Sequence, residues 1–293
     1  MDFVTVACDR DYDLMLLQAE SMNKFVDQCT HWIFVNERFP NKTKWNSLRY
    51  LYTRHNLKLI YPKWNEYLFC FDGFVRHAVY KLLMVEYTDN DFVALDPKNF
   101  FIKSCNINEW NGIVGSGRIG WDAKWARASK RYADYFNEPM VTDTMLLSEC
   151  PFVYRNDRLK RLGDMRKFVK WYLGGQACET VLYSYLTRDI VEHTEFSQTY
   201  TNRTFWRDDP NITQEVLDQL AGDPNIKVMG FHRFYRYKST PEELMMINNW
   251  IKSFGLNYQI PYYTPDWWDK FINKKIYKQL NSGKVRRKLV PRC

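Results

Sequence analysis

The sequence predicts an α/β fold, a mostly parallel sheet flanked by helices, and three observations carry that prediction. Short β-rich apolar runs alternate with segments whose apolar residues return at helical spacing, the pattern of strands and helices feeding one buried sheet. Polar turn residues follow the strand-like runs, as at Asp9-Arg10-Asp11 and Asp96-Pro97-Lys98-Asn99. The chain of 293 residues, 45% hydrophobic and 26% charged, is long enough to bury a core without disulfides or metals and too apolar to be disordered.

Taken in order, Phe3–Cys8 (FVTVAC) reads as a first strand, and Leu14, Leu17, Met22 and Phe25 then recur at helical spacing. His31–Val35 (HWIFV) and Leu57–Ile60 (LKLI) are two further short strands. Between Phe74 and Tyr87 one helical face gathers Phe74, Val75, Ala78, Val79, Leu82 and Leu83, leaving Arg76, Tyr80 and Lys81 off it. Asp91–Leu95 (DFVAL) is a fourth strand and Asn225–Phe231 (NIKVMGF) a late one, ending at His232. The helix after it is signalled by Ser239 or Thr240 as cap, Pro241, Glu242 and Glu243 in the first turn, and Gly255 beyond its end. Pro265–Leu280 is an amphipathic segment carrying Trp267, Trp268, Phe271 and Tyr277. With no internal repeat or low-complexity linker, the simplest partition is one domain, 1–264, with a basic, aromatic, helical C-terminal extension, 265–293.

Lys plus Arg exceed Asp plus Glu, 42 against 34, and the excess has an address. Nine basic residues and no acidic one lie between Lys270 and Cys293, leaving residues 1–269 at a net charge of −1. An appended contact with a polyanion is the expectation, nucleic acid first, with Lys274, Lys275, Lys278, Arg286 and Arg287 as the contacting side chains. A merely solvated tail is the competing reading. No run approaches the ~18 apolar residues of a membrane span. The first apolar stretch is broken at Asp9, Arg10, Asp11 and Asp13, so no secretory h-region is expected. Seven scattered cysteines without a C-x-x-C pair fit reduced, mostly buried thiols, and together these features predict a cytoplasmic protein.

Several motifs fail. Gly115-Ser-Gly-Arg-Ile-Gly120 spells G-x-G-x-x-G with Asp134 downstream, but no strand lies between Gly120 and Asp134, so a loop is the better reading than a dinucleotide fold. Signatures of P-loop NTPases, zincins and α/β-hydrolases are missing from the sequence.

One layout fits a chemistry. An Asp at a strand's end with a second polar group close behind can hold a hard divalent cation that bridges a diphosphate. Phe92-Val-Ala-Leu-Asp96-Pro-Lys-Asn99-Phe-Phe-Ile-Lys103 resembles the metal-binding D-x-D segment of GT-A glycosyltransferases, with Lys98 in place of the second Asp. Other pieces fall in that family's order. Val4–Asp11 resembles the pyrimidine and ribose edge, with Cys8, Asp9, Arg10 and Asp11 as contacts. Phe74–Tyr87 resembles the helix that precedes the metal strand and helps hold the nucleotide, with Arg76 and Lys81. Met140–Leu146, containing Asp143, resembles the acceptor-side strand, and Gly174–Tyr183 the segment placing a carboxylate, Glu179, near the acceptor. Val228–Arg233 resembles the stretch whose late histidine, His232, ligates metal.

The resemblance implies a GT-A-like, Rossmann-like sheet and a nucleotide-sugar donor, UDP-linked by preference. It also implies a divalent metal (Mn or Mg) on Asp96, Asn99 and His232, with Lys98, Arg76 or Lys81 assisting. Glu179, or failing that Asp143, is the implied general base. For the acceptor, the basic tail makes the chain similar to the DNA-modifying sugar transferases of T-even-like phages, the arabinosyltransferases in particular, which would place it on duplex DNA in a host cytoplasm. Two alternatives stay open: transfer onto a surface glycan or lipid-linked sugar at the inner membrane face, and a non-catalytic nucleic-acid-binding module on a decayed transferase fold.

Overall fold

The first strand, β1 (Asp2–Ala7), is buried along its whole length, as a strand with helices over both faces must be. A 3-10 turn at Asp9–Asp11 leads into α1 (Tyr12–Phe25), then β2 (Thr30–Val35), α2 (Lys42–Ser47) and β3 (Asn56–Ile60). Next come α3 (Gly73–Leu82), β4 (Phe92–Leu95) and β5 (Asn99–Phe101), followed by β6 (Arg118–Gly120), α4 (Ala126–Phe136), β7 (Thr144–Leu146) and β8 (Phe152–Tyr154). The chain continues through α5 (Met165–Leu173), α6 (Glu179–Leu186), β9 (Thr201–Phe205), α7 (Gln214–Gly222), β10 (Ile226–Phe231), α8 (Arg233–Lys238) and α9 (Pro241–Ser253). This computed structural model describes residues 1–61, 73–111, 118–120, 125–140, 144–146, 150–175, 178–191, 201–206 and 208–261. Asp143 and the whole of 265–293, with its five basic candidates, lie outside them.

The main sheet has the order β3-β2-β1-β4-β8. Its first four strands are parallel, and β8 closes the edge antiparallel to β4. Alternate residues of each strand serve opposite faces. Val4, Val6, Phe92 and Ala94 enter one core with residues of α3, α4 and α6, while Phe3, Ala7, Val93 and Leu95 enter a second with α1 and Trp45.

The sequence led us to expect one sheet, and the structure divides the strands. β10 joins β5 and β9 in a separate three-stranded sheet, antiparallel to β5 and parallel to β9. That sheet packs a third core with α9, whose N-cap Thr240 accepts a 3.2 Å hydrogen bond from the Glu243 N–H. The chain therefore leaves one sheet at Leu95 and enters the other at Asn99, and the three residues between them form the junction. β6 pairs antiparallel with β7, which is not the βαβ geometry a dinucleotide loop needs. Asp134 is an exposed residue of α4 paired 3.6 Å from Lys130. The five described cysteines are free thiols, Cys105 and Cys150 buried and Cys8, Cys29 and Cys178 partly buried at element ends.

Candidate active site

Parallel sheets present ligand sites at the carboxyl ends of their strands, and the junction Asp96-Pro97-Lys98 lies at such an end. The turn is built from below. The Asn99 Oδ1 accepts the Asp96 N–H at 2.8 Å, and Gln18 on α1 donates through Nε2 to both the Asp96 and the Asn99 carbonyls at 2.9 Å. Gln18 is itself held, since its Oε1 accepts the Thr5 hydroxyl at 2.9 Å. Having given its one proton there, Thr5 must accept from the His31 Nε2–H, also at 2.9 Å. His31 Nδ1 is then the acceptor for the Tyr52 hydroxyl at 2.8 Å. His31 is completely buried, which holds its pKa down at about 3 and keeps the ring in this neutral tautomer.

Side chains from α3, from α6 and from the segment just before β8 join Lys98 at the turn. The Lys98 ammonium contacts Asp96 Oδ2. The His77 Nε2, from α3, lies 3.7 Å from Asp96 Oδ1. One turn further along α3, Lys81 reaches 3.6 Å from Glu179 Oε1 and donates to the Cys150 Sγ at 3.5 Å. The Lys81 and Glu179 side chains are only 5% and 8% exposed. Glu179 is the first residue of α6, where the helix N-terminus favours a carboxylate.

The electrostatics follow from this grouping. Burial works to raise the Asp96 pKa, but Lys98, Lys81 and His77 overcome it and hold the carboxyl well below the usual range. Burial pushes Glu179 the other way, upward, with Lys81 opposing. For Lys81 burial alone would lower the pKa, yet Cys150, Glu179 and Asp96 more than offset it and keep the amine charged. Burial, reinforced by Lys81, holds His77 neutral with a pKa of about 3, and burial, with Asp96, lifts the Cys150 thiol to about 12.

Trp206, just past β9, stacks on His232, just past β10, with ring centroids 4.4 Å apart. The Lys98 ammonium lies 5.4 Å from the Trp206 ring centre. Gly230 on β10 lets the neighbouring strands close in, because a Cβ there would sit 2.9 Å from Thr204 Oγ1 and 3.1 Å from Asn99 Nδ2.

Of the residues expected from sequence, the structure brings Asp96, Lys98, Lys81 and Glu179 together, with His232 joined to them through Trp206. Asn99 is not available as a ligand in the way expected: it is fully buried and its Oδ1 is committed to the Asp96 N–H. The first turn has a comparable internal role. Asp11 accepts from the Cys8 N–H and thiol at 3.1 and 2.9 Å, and Asp9 accepts the Trp45 indole N–H at 2.7 Å while its own N–H goes to Glu37. These acids shape the edge next to Arg10. Cys8 is held as a thiol, pushed to about 12 by burial and then by Asp11. Arg76 donates to Asn36 Oδ1 at 3.1 Å beyond the end of β2, on the same rim of the sheet. His77, Cys150, Trp206 and Gln18 were not foreseen. For His77 a signal existed, since it stands four residues before Lys81 and so shares its helix face.

The donor set does not suit a divalent metal. Among the described residues no group of three His, Cys, Asp or Glu side chains is placed to hold one, Asp96 is already neutralised by an ammonium, and Asn99 is spent. A cleft lined by Val85, Glu86, Lys160, Asp164 and Arg166 contains none of the clustered residues.

No protein-family profile and no curated protein sequence matches the chain. Solved structures do resemble it. The galactosyltransferase LgtC, in complex with donor and acceptor sugar analogues, is 13% identical over 89% of this chain and 98% of its own, with a TM-score of 0.48. An active-site mutant of LgtC gives 13% identity over 85% and 96%, with a TM-score of 0.47. The bifunctional glycosyltransferase WbbM, in its apo form, gives 12% identity and a TM-score of 0.45 over 87% of this chain but 51% of WbbM. Likeness at this level leaves the reading of the site to its own geometry.

Proposed function

We propose that the chain is a nucleotide-sugar-dependent glycosyltransferase, with the Asp96 turn as the donor diphosphate site and Glu179 as the general base. The observation that carries this reading is the meeting of two lysine ammoniums with two carboxylates of opposite character at the carboxyl edge of a parallel sheet. Asp96 is held ionised and Glu179 has its proton affinity raised. Glycosyl transfer needs both: positive charge where the nucleoside diphosphate departs, and a base for the proton of the attacking hydroxyl.

In this reading Lys98, anchored by Asp96, meets the developing charge on the leaving diphosphate. Lys81 holds Asp96 and Glu179 in place from beneath. Glu179, its proton affinity raised by burial with Lys81 opposing, takes the acceptor proton, and Asp143 is the alternative base. The turn at Cys8–Asp11 and Arg76 border the place for the nucleoside. Hexosyl and pentosyl donors both suit this scheme, as does a UDP leaving group.

The acid-free basic segment from Lys270 onward supports a polyanionic acceptor. Duplex DNA containing hydroxymethylated cytosine is therefore the acceptor to test, against a glycan and a lipid-linked sugar. The experiment is incubation with a panel of nucleotide sugars and these acceptors, reading nucleoside diphosphate release and the mass of the digested nucleosides. Nucleotide release with every donor at the background rate would reject the transferase. Release without a nucleoside mass shift would move the acceptor away from DNA.

A further inference from the structure

We infer that the Lys98 ammonium is the resident cation of the Asp96 turn, so that this site takes the diphosphate of a nucleoside diphosphate without a divalent metal. The inference rests on the transferase reading and adds the chemistry by which the leaving group is held.

Four observations point the same way. The position two residues after Asp96, where a second carboxylate would complete a metal site, carries an ammonium that contacts Asp96 directly. The Lys98 side chain is 11% exposed and runs between the Asp96 turn and the Trp206 ring, so it is fixed by its surroundings and does not sweep through solvent. Asn99 faces inward as a staple of the turn, and the His232 ring is stacked on Trp206. Finally the cluster sets an ammonium against each carboxylate, Lys98 in contact with Asp96 and Lys81 3.6 Å from Glu179. A metal ion would have to displace Lys98 from Asp96 while approaching two like-charged ammoniums. A lysine ammonium has three N–H donors, and Asp96 takes one, which leaves the group suited to bridging a carboxylate and phosphate oxygens.

The test is calorimetric titration of the full chain, stripped with chelator, with UDP and then CDP, GDP and ADP, in EDTA and in millimolar Mn or Mg. Affinity in EDTA should match that with metal within about threefold. Lys98→Ala should weaken binding roughly ten- to a hundredfold, the loss expected for a charge-assisted contact, with no recovery on adding Mn, while Lys98→Arg should keep most of it. Lys98→Asp should make binding dependent on Mn. Binding by the wild type that vanishes in EDTA and returns with Mn overturns the inference and leaves the transferase standing, as does unchanged affinity of Lys98→Ala in EDTA. If no nucleoside diphosphate binds in either buffer, the transferase reading itself falls and the inference with it. Should Lys98→Ala fail to fold by circular dichroism, the wild-type comparison and Lys98→Arg still decide.

Discussion

Removing Lys81 and Glu179 separately and together gives the sharpest test of how the buried cluster is built. At 3.6 Å two unit charges attract by about 5 kcal/mol at an effective dielectric constant near 20. Both side chains are almost fully buried, so desolvation cancels much of that attraction, and the loss of one partner matters more than the worth of the pair. Lys81→Met leaves Asp96 and Glu179 with Lys98 as the remaining cation of the cluster and should cost ~3–5 kcal/mol. In a chain of this size that is a fall of roughly 6–20 °C in Tm. Glu179→Gln should cost less, because Lys81 keeps Asp96 and Cys150 beside it. The double variant should recover part of the Lys81→Met loss, with a coupling of about 1–3 kcal/mol. Urea unfolding of all four proteins at pH 7 and fixed salt measures this.

The pH dependence has a definite sign: Glu179 is raised in the fold, so its contribution is intact below its unfolded pKa of 4.5 and is lost as pH rises through the folded value. Wild type should therefore compare better with Glu179→Gln at pH 4 than at pH 7. Additive costs, with coupling under about 0.5 kcal/mol, would refute the paired cluster. Steady-state kinetics on the same Glu179→Gln protein should show a fall in kcat with KM for donor unchanged; the reverse would make Glu179 structural and move the base to Asp143.

Asp96→Asn should leave the fold intact and reduce turnover roughly a hundredfold or more, since the anchor of the cation at the leaving group is lost; near-normal nucleotide release would remove Asp96 from the site. His31, with a pKa near 3 in the fold against 6.5 unfolded, should cost about 2 kcal/mol of stability between pH 7 and pH 5, as the unfolded chain gains a proton the core refuses. His31→Gln should flatten the pH slope of urea unfolding by that amount. Gly230→Val should destabilise by about 1–3 kcal/mol, the usual cost of overpacking, because its Cβ meets Thr204 and Asn99; a Tm unchanged from wild type would show that β10 has room to move.

The four parallel strands of the main sheet were legible to within a residue or two as short apolar, β-rich runs. The helix at Pro241–Ser253 was legible from its cap and first-turn acids. The three-residue strands at Asn99–Phe101 and Phe152–Tyr154 were not, since so short a run has no period to detect. The division into two sheets escaped for a related reason: nothing in Leu95-Asp-Pro-Lys-Asn99 says that the chain changes sheets there. In the site, Asp96 could be singled out as a polar residue at a strand end and Lys81 as one off an apolar face, while Glu179 came from the family resemblance alone. Cys150 and Trp206 could not, because they join it only through tertiary packing from 54 and 110 residues downstream of Asp96.

Gln18 shows why a buried polar chain persists beneath the Asp96 turn. Replacing any one member with an apolar residue would strand its neighbour: without Gln18 the Asp96 and Asn99 carbonyls lose these donors, and without Thr5 both Gln18 Oε1 and His31 Nε2 lose a partner. Each stranded group costs ~1–3 kcal/mol, so the chain Tyr52–His31–Thr5–Gln18 is stable only in one arrangement of protons. That arrangement fixes two carbonyls of the turn to a helix and a strand of the main sheet, while Asn99 fixes its N–H. The Asp96 carboxylate is therefore placed by the hydrogen bonds of the core before any ligand arrives. On the proposed reading, a carboxylate that anchors a cation beside a departing diphosphate benefits from that placement, because stabilisation at the moment of reaction is greatest when the charges need no rearrangement.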